Sequence, residues 1–326
     1  MYLAVGFAVA TATATGTVLI RRAEAAPNKE TFSPGQLVDA LHAAFGTHRA
    51  RAVHAKGIIL EGTFSPDPQA ATLTTAPHLQ HTASKVTVRF SDFTGIPAIP
   101  DNVGDANPRG FAIRFKLPDG ASTDIVGHSF NGFPTATSDE FRELLMAIAA
   151  TKTSKEPLAK FLGSHPIAKT FLTTQKTPAS YATISYFGVN AFQFTAKDGA
   201  KHFVRYQFVP DDGEHVLSAA EMANQSADYL QDEIRARVAK KSFSFKMYAQ
   251  LAESSDVIEN PSIAWPDSRK RVPLGVITID KLSANTAAED QALAYSPLNL
   301  PAGIAPADPM LEFRARAYPI SVKGRR

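Results

Sequence analysis

The strongest constraint on the fold is a series of short runs in which apolar residues recur at every second position, because an extended strand with one buried face uses that period. Lys85-Val-Thr-Val-Arg-Phe90 and Phe111-Ala-Ile-Arg-Phe115 show it most clearly. Pro118-Asp-Gly120 is a turn that leads into Thr123-Asp-Ile-Val126, and Lys197-Asp-Gly199 joins the runs 186–194 and 202–209 as a hairpin. The runs 245–251 and 274–279 add two more. About eight strands, without the regular strand and helix alternation of a parallel sheet, fit an α+β chain built on an antiparallel eight-stranded β-barrel with surrounding helices.

Helices fill the intervals. Ser33 is placed to cap a helix that opens with Pro34 and ends at Gly46, with Leu37, Val38, Leu41, Ala44 and Phe45 as its buried stripe. Ser138 reads as the cap of a run through Phe141, Leu144, Leu145 and Ile148. Residues 155–171 form a broken helical stretch, and Ser218 starts a run through Met222, Tyr229, Ile234 and Val238. The turn-rich segment 296–309 leads into a last helix around Arg314 and Tyr318, which Pro319 is expected to end. The 326 residues carry a net charge of +3, too little to imply a nucleic-acid surface. Arg269-Lys-Arg271 and Arg325-Arg326 read as solvated local clusters. No cysteine is present, which removes disulfides, iron-sulfur clusters and thiolate metal ligands.

Two stretches carry chemistry. In the last helix, Arg314 and Tyr318 sit four residues apart on one face, so the guanidinium can hydrogen-bond the phenol oxygen. A free tyrosine titrates near ~10, and a permanent positive charge in contact favours the phenolate, an anionic ligand for ferric iron. On spacing alone, an ordinary surface helix is the commoner explanation. Far upstream, Arg51-Ala-Val-His54-Ala-Lys-Gly57 carries an imidazole, which titrates in the range a general acid or base needs. A lone histidine in such an apolar segment is more often a core residue.

Taken together, His54, Ser91, Asn107-Pro-Arg-Gly-Phe111 and the Arg314 and Tyr318 pair resemble, in that order, the catalase family. Phe187-Gly-Val-Asn-Ala-Phe192 and Ser296-Pro-Leu-Asn-Leu-Pro-Ala-Gly-Ile304 resemble it too, and the likeness covers nearly the whole chain after about residue 30. The resemblance implies the barrel core and a haem b (iron protoporphyrin IX) cofactor. It implies that Tyr318 is the axial iron ligand, supported by Arg314, and that His54 is the distal acid/base that moves a proton between the peroxide oxygens. Ser91 would fix the tautomer of His54, Arg51 and Arg89 would bind the haem propionates, and Val53, Phe133 and Phe141 would line the pocket. Taken singly, exposed arginines, a polar strand serine and core phenylalanines explain those residues as well.

The chain also departs from the family. An ungapped alignment puts His128 where large catalases have a distal asparagine, with Asn131 three residues on as the alternative. Asp308 aligns with a family carboxylate near the axial pair, and Gln207 falls where a histidine touches the axial-pair arginine. The sequence stops soon after Tyr318, without the helices, flavodoxin-like domain or nicotinamide site of large catalases. The expected consequence is a haem open to molecules larger than hydrogen peroxide, as in the short catalase-related peroxidases, which the Phe-Asn-Gly-Phe-Pro run also resembles. The expected activity is peroxidase action on organic hydroperoxides and hydrogen peroxide, with an organic electron donor and no nucleic-acid partner. Disproportionation of hydrogen peroxide, isomerisation of a hydroperoxide and a non-enzymatic haem-binding scaffold are the alternatives, and a homo-oligomer is left open.

Residues 27–326 read as a single catalase-like haem-binding domain, and residues 1–26 as an apolar export signal or membrane anchor. The run 3–20 is uncharged and of membrane-spanning length, and Ala23-Glu-Ala-Ala26 would suit an export peptidase. Arg21-Arg22 follow the run instead of preceding it, against the order of an ordinary signal peptide. A periplasmic location, or membrane association through residues 3–20, is expected in preference to the cytoplasm.

Overall fold

The computed structural model describes residues 30–325. Eight strands form a closed antiparallel barrel: β1 (Gly57–Pro66), β2 (Ser84–Ser91), β3 (Gly110–Lys116), β4 (Ser122–His128), β5 (Tyr186–Thr195), β6 (Lys201–Pro210), β7 (Phe243–Leu251) and β8 (Arg271–Leu282). Their order is β4-β3-β2-β1-β8-β7-β6-β5, and a pairing of β4 with β5 at His128 and Phe187 closes the ring. A ninth, short strand, β9 (Ile304–Pro306), pairs with β5 inside the stretch expected to be only turns.

The alternating runs do what their period requires. In β2, Val86, Val88 and Phe90 enter the barrel core, while Lys85, Thr87, Arg89 and Ser91 take the other face. Rings fill the interior: Phe111 lies 4.9 Å from Tyr186 and 4.7 Å from Phe208, and Phe90 stacks on Tyr181 at 5.3 Å. Where β1 meets β8 the register shifts between Glu61 and Gly62, and a Cβ at Gly62 would lie 2.1 Å from the carbonyl oxygen of Thr278, so this crossing needs a glycine.

Eight helices surround the barrel: α1 (Pro34–Phe45), α2 (Ser138–Ala150), α3 (Glu156–Ser164), α4 (Pro166–Thr173), α5 (Ala219–Ala223), α6 (Tyr229–Lys240), α7 (Thr286–Ala292) and α8 (Met310–Lys323). Ser33 caps α1 in a reciprocal capping box with Gln36, and Gly46 ends it at φ 92°. Three expectations are corrected. The cap of α2 is Thr137, whose hydroxyl accepts from Glu140 N, and Ser138 is the first helical residue. The run after Ser218 is two helices instead of one, and α8 passes through Pro319 to Lys323. An internal proline forfeits one helical bond, here to the Ala315 carbonyl, and the turns on either side carry the helix past it. The short α7 had no apolar stripe to announce it and buries none of its residues.

A second apolar cluster lies outside the barrel and joins Leu37, Val38 and Leu41 of α1 to Ala52, Leu145 of α2, and Phe313 and Ala317 of α8. It holds α8 to α1, facing the outer barrel wall where Arg89 and Ser91 emerge, with a cavity between them. No helix among the described residues is long and apolar enough to cross a membrane, and the 1–26 segment lies outside those residues.

His78 is buried in the barrel, 4.8 Å from the ring of Phe115, and neither ring nitrogen has a protein partner. Burial pushes its imidazole down to about 3. Because that lies below the unfolded value, the unfolded chain takes up a proton that the folded chain refuses as pH falls through 6.5 towards 3, and stability is lost over that window. The loss is about 1.4 kcal/mol per pH unit. His78→Phe should therefore gain about 2 kcal/mol relative to the parent on going from pH 7 to pH 5, measured by urea denaturation at both values.

Candidate active site

Strand register builds one wall of a large cavity. On the outer face of the barrel, Ser91 of β2, Gly110 of β3 and His128 of β4 stand in one cross-strand row, and Arg89, Ala112 and Val126 stand in the next. All six line the cavity, which encloses about 1380 Å³ of unfilled space including its mouth. His54 rests on the first row. A Cβ at Gly110 would lie 2.5 Å from His54 Nδ1 and 2.3 Å from Ser91 Oγ, so only glycine leaves the imidazole its place. His54 itself has a left-handed backbone, φ 56°, which a non-glycine residue keeps only when its surroundings impose it. Its N–H donates to Phe93 O at 2.8 Å and the next N–H donates to Thr94 O at 2.9 Å, which pins the turn.

The hydrogen bonds assign both tautomers. His54 Nδ1 lies 3.1 Å from Asp92 O and 3.2 Å from Ser91 Oγ; a carbonyl can only accept, so Nδ1 carries the proton and Nε2 is a free base. His128 is the reverse: its Nδ1 accepts from Phe130 N at 3.3 Å, so Nε2 carries the proton, and this buried N–H has no protein partner. Burial above all, then the neighbouring His128 and Arg89, holds His54 down to about 3, and burial followed by Arg314 does the same to His128. The site thus presents one neutral acceptor and one neutral donor. Behind Asp92, Arg109 pairs with its carboxylate and Tyr181 Oη donates to it at 3.0 Å. Burial still raises that carboxyl to about 7.

Tyr318 and Arg314 line the same cavity from α8, and Arg314 Nη2 donates to Tyr318 Oη at 2.7 Å. The other arm of Arg314 donates to Asn190 Oδ1, and Asn190 Nδ2 donates to Asp308 Oδ2 at 2.7 Å. Asp308 therefore reaches the arginine through Asn190. This residue lies where the pairing of β5 with β6 shifts register between Gly188 and Phe192. It stood in the Phe187-Gly-Val-Asn motif without a role attached. Gln207 is buried in β6, and it is Asn190 that holds the second arm of Arg314.

At another end of the cavity, Arg51, Arg89 and Arg325 meet. Arg51 Nη1 lies 2.8 Å from Asp290 Oδ2, and Arg89 grips the same carboxylate through Nε and Nη2. Arg325 Nη1 and Arg51 Nη2 both donate to Leu293 O, at 3.0 and 2.7 Å. Arg325 is buried, which corrects its reading as part of a solvated cluster: the chain turns at Gly324 after α8 and carries the guanidinium inward. Burial, then Arg89, lowers Arg51 to about 9 and also lowers Arg325. Tyr295, another residue the sequence did not single out, lines this end with a buried hydroxyl that has no protein partner.

Val53, Phe133 and Phe141 line the cavity, the two rings 4.9 Å apart. Phe93 and Phe171 join them, Phe93 standing edge-on to His54 at 5.6 Å. Asn131 is outside the lining, so His128 is the residue brought to Ser91 and His54.

The sequence profile described as Catalase matches residues 36–325. The chain belongs to the catalase family. It is 35% identical over 298 residues to a catalase-related peroxidase of Mycolicibacterium paratuberculosis, covering 90% of this chain and 94% of that one. It is 32% identical over 302 residues to a catalase-related peroxidase of Synechococcus elongatus, covering 90% and 88%. The solved structure of a bacterial catalase superposes with a TM-score of 0.75 at 23% identity, a likeness in fold, and this chain spans 57% of its length. As a catalase-family enzyme the chain is an oxidoreductase acting on peroxide, and the family generally binds haem.

Gly110→Ala should displace the imidazole of His54 by a fraction of an ångström to an ångström. Peroxide turnover is then expected to fall on the order of 10²-fold, measured as kcat on protein whose circular dichroism shows the barrel intact.

Proposed function

We propose that this chain is a haem b peroxidase in which Tyr318 ligates the iron, His54 is the distal base and His128 the second distal group, with organic hydroperoxides and hydrogen peroxide as substrates. The observation that carries the reading is the cavity itself. It gathers a neutral imidazole base, a buried imidazole N–H donor, an arginine-bonded phenol and an arginine cluster into one lining. The residues fit the cofactor on charge. Arg51, Arg89 and Arg325 bring three positive charges against the single carboxylate of Asp290. That excess of positive charge calls for anionic partners such as the two propionates, since buried cations need partners. Arg325 Nε and Tyr295 Oη, both buried without a protein partner, are further donors for those carboxylates.

Bound haem would supply the ferric iron and the electrons that break the O–O bond. The protein's part is positional. His54 Nε2 takes the proton from the inner peroxide oxygen and returns it to the outer one, while the Nδ1–H bond to Asp92 O and Ser91 Oγ keeps that lone pair in place. His128 Nε2–H donates a hydrogen bond to a peroxide oxygen, the part an amide plays in large catalases. Arg314, held by Asn190, fixes the phenol of Tyr318 against the iron side. Leu37, Val38, Phe93, Phe141 and Phe171 give the cavity an apolar lining that suits an alkyl or aryl hydroperoxide and an organic donor better than hydrogen peroxide alone. The two relatives named catalase-related peroxidase support the peroxidase part of the reading.

Steady-state kinetics test the reading: hydrogen peroxide and an alkyl hydroperoxide, each with and without a reducing dye. Dye-dependent turnover of both is expected, and vigorous oxygen evolution from hydrogen peroxide without dye would replace the peroxidase reading with disproportionation. Tyr318→Phe should lose most of the haem absorbance. His54→Ala should keep the absorbance and lose turnover on the order of 10²–10⁴-fold.

A further inference from the structure

Among the described residues, Asp290 is the one carboxylate in contact with the arginine end of the cavity, and it uses both oxygens there. Oδ2 accepts from Arg51 Nη1 at 2.8 Å and from Arg89 Nη2 at 3.2 Å, and Oδ1 accepts from Arg89 Nε. Those are the donors assigned above to a haem propionate, and a second carboxylate cannot use the same N–H groups at the same time. On the other side, Tyr295 Oη and Arg325 Nε are buried donors without a protein partner. The end thus contains one carboxylate seat that the chain itself fills and a second set of donors that it does not.

The helix that carries Asp290 lies along β1 but buries no side chain of its own. None of the seven residues of α7 is buried. Its remaining ties are polar: Ser283 Oγ to Glu289, Gln291 Nε2 to Arg325 O at 2.8 Å, and the Leu293 carbonyl that follows it to Arg51 and Arg325. With no side chain of α7 buried, the arginine contacts are a main part of what holds it against β1, and a ligand that takes over those contacts loosens the helix.

Resting on the haem reading, we propose that Asp290 is an internal carboxylate that occupies a propionate seat, so that α7 is a latch on cofactor uptake which haem must displace. Before uptake, the carboxylate keeps Arg51 and Arg89 from facing each other, with Arg325 close by, uncompensated in a buried site. Its cost is competition: a ligand tied to the chain lowers the apparent affinity for haem by the fraction of time the seat is free. Burial would raise the Asp290 carboxyl, but Arg89, Arg51 and Arg325 hold it below the usual range, so the latch stays charged at neutral pH.

The test is spectrophotometric titration of the cofactor-free full chain with haemin, for the parent and for Asp290→Asn, together with backbone hydrogen exchange of the parent before and after loading. The amide keeps the size of the side chain and removes its charge. Asp290→Asn should bind haemin about tenfold more tightly, and exchange at residues 286–293 should quicken on loading while α1, α8 and β2 become protected. Equal or weaker binding by Asp290→Asn, or slower exchange at 286–293 on loading, overturns the latch. A parent chain that takes up no haemin fails differently: it removes the haem reading itself.

Discussion

The structure depends on a side chain that is not there. Gly110 stands between Ser91 and His128 in a cross-strand row, and the space its missing Cβ would fill is taken by the imidazole of His54. Without that space, the imidazole of His54 would have no surface to rest on, and the left-handed turn at His54 would be held by its backbone hydrogen bonds alone. The barrel supplies the row because antiparallel strands place residues two apart on one face and bring directly paired residues side by side. A site for four polar side chains is thus assembled on the outer wall of an apolar barrel, and α1 and α8 cover it through their own apolar contact.

Polarity under that cover has to be satisfied locally, and main-chain groups do much of it. The proton on His54 is placed by the carbonyl of Asp92, and the proton on His128 by the N–H of Phe130. No carboxylate side chain touches either ring among the described contacts, so neither imidazole gains an anionic partner that would raise its proton affinity. Burial, unopposed, keeps both neutral. Two histidines side by side therefore do unlike work because the backbone meets each ring at Nδ1 with an opposite polarity. An asparagine at position 128 could offer the same donor, but only a histidine there adds a second imidazole to the cavity.

Much of the fold was legible because the signals were local and periodic. Seven of the eight barrel strands and the capping of α1 follow from alternation, turns and a Ser-Pro start, and β1 lay in a stretch read only as strand-rich. The features that escaped were those whose reason lies far away in sequence. Helix α7 has no apolar stripe, β9 is three residues long, and α8 crosses Pro319 into a turn that Ala52 N–H ties down through Ser321 Oγ. In the site, resemblance singled out His54, Ser91, Arg51, Arg89, Arg314 and Tyr318, which all line the cavity, whereas Arg325 looked like a surface charge and Asn190 stood in a family-like motif without a role. Only the turn after Gly324 and the register shift in β5 give those two their positions, and neither is visible in composition or spacing.

The two charged ends of the cavity follow opposite strategies. At the phenol, one guanidinium is shared between Tyr318 and Asn190, and the acid, Asp308, is kept one residue further off, so the charge of Arg314 is not cancelled by direct contact with a carboxylate. A guanidinium neutralised by an ion pair would polarise the phenol oxygen less than one bonded to an amide. At the other end, three guanidiniums are crowded together with too few acids, and burial lowers the proton affinity of Arg51 and Arg325. A fold tolerates such an arrangement when something anionic completes it, because uncompensated buried charge costs several kcal/mol per ion. On the proposed reading, the imbalance at one end and the insulated arginine at the other would meet the same cofactor from two sides, one answering its carboxylates and the other its metal.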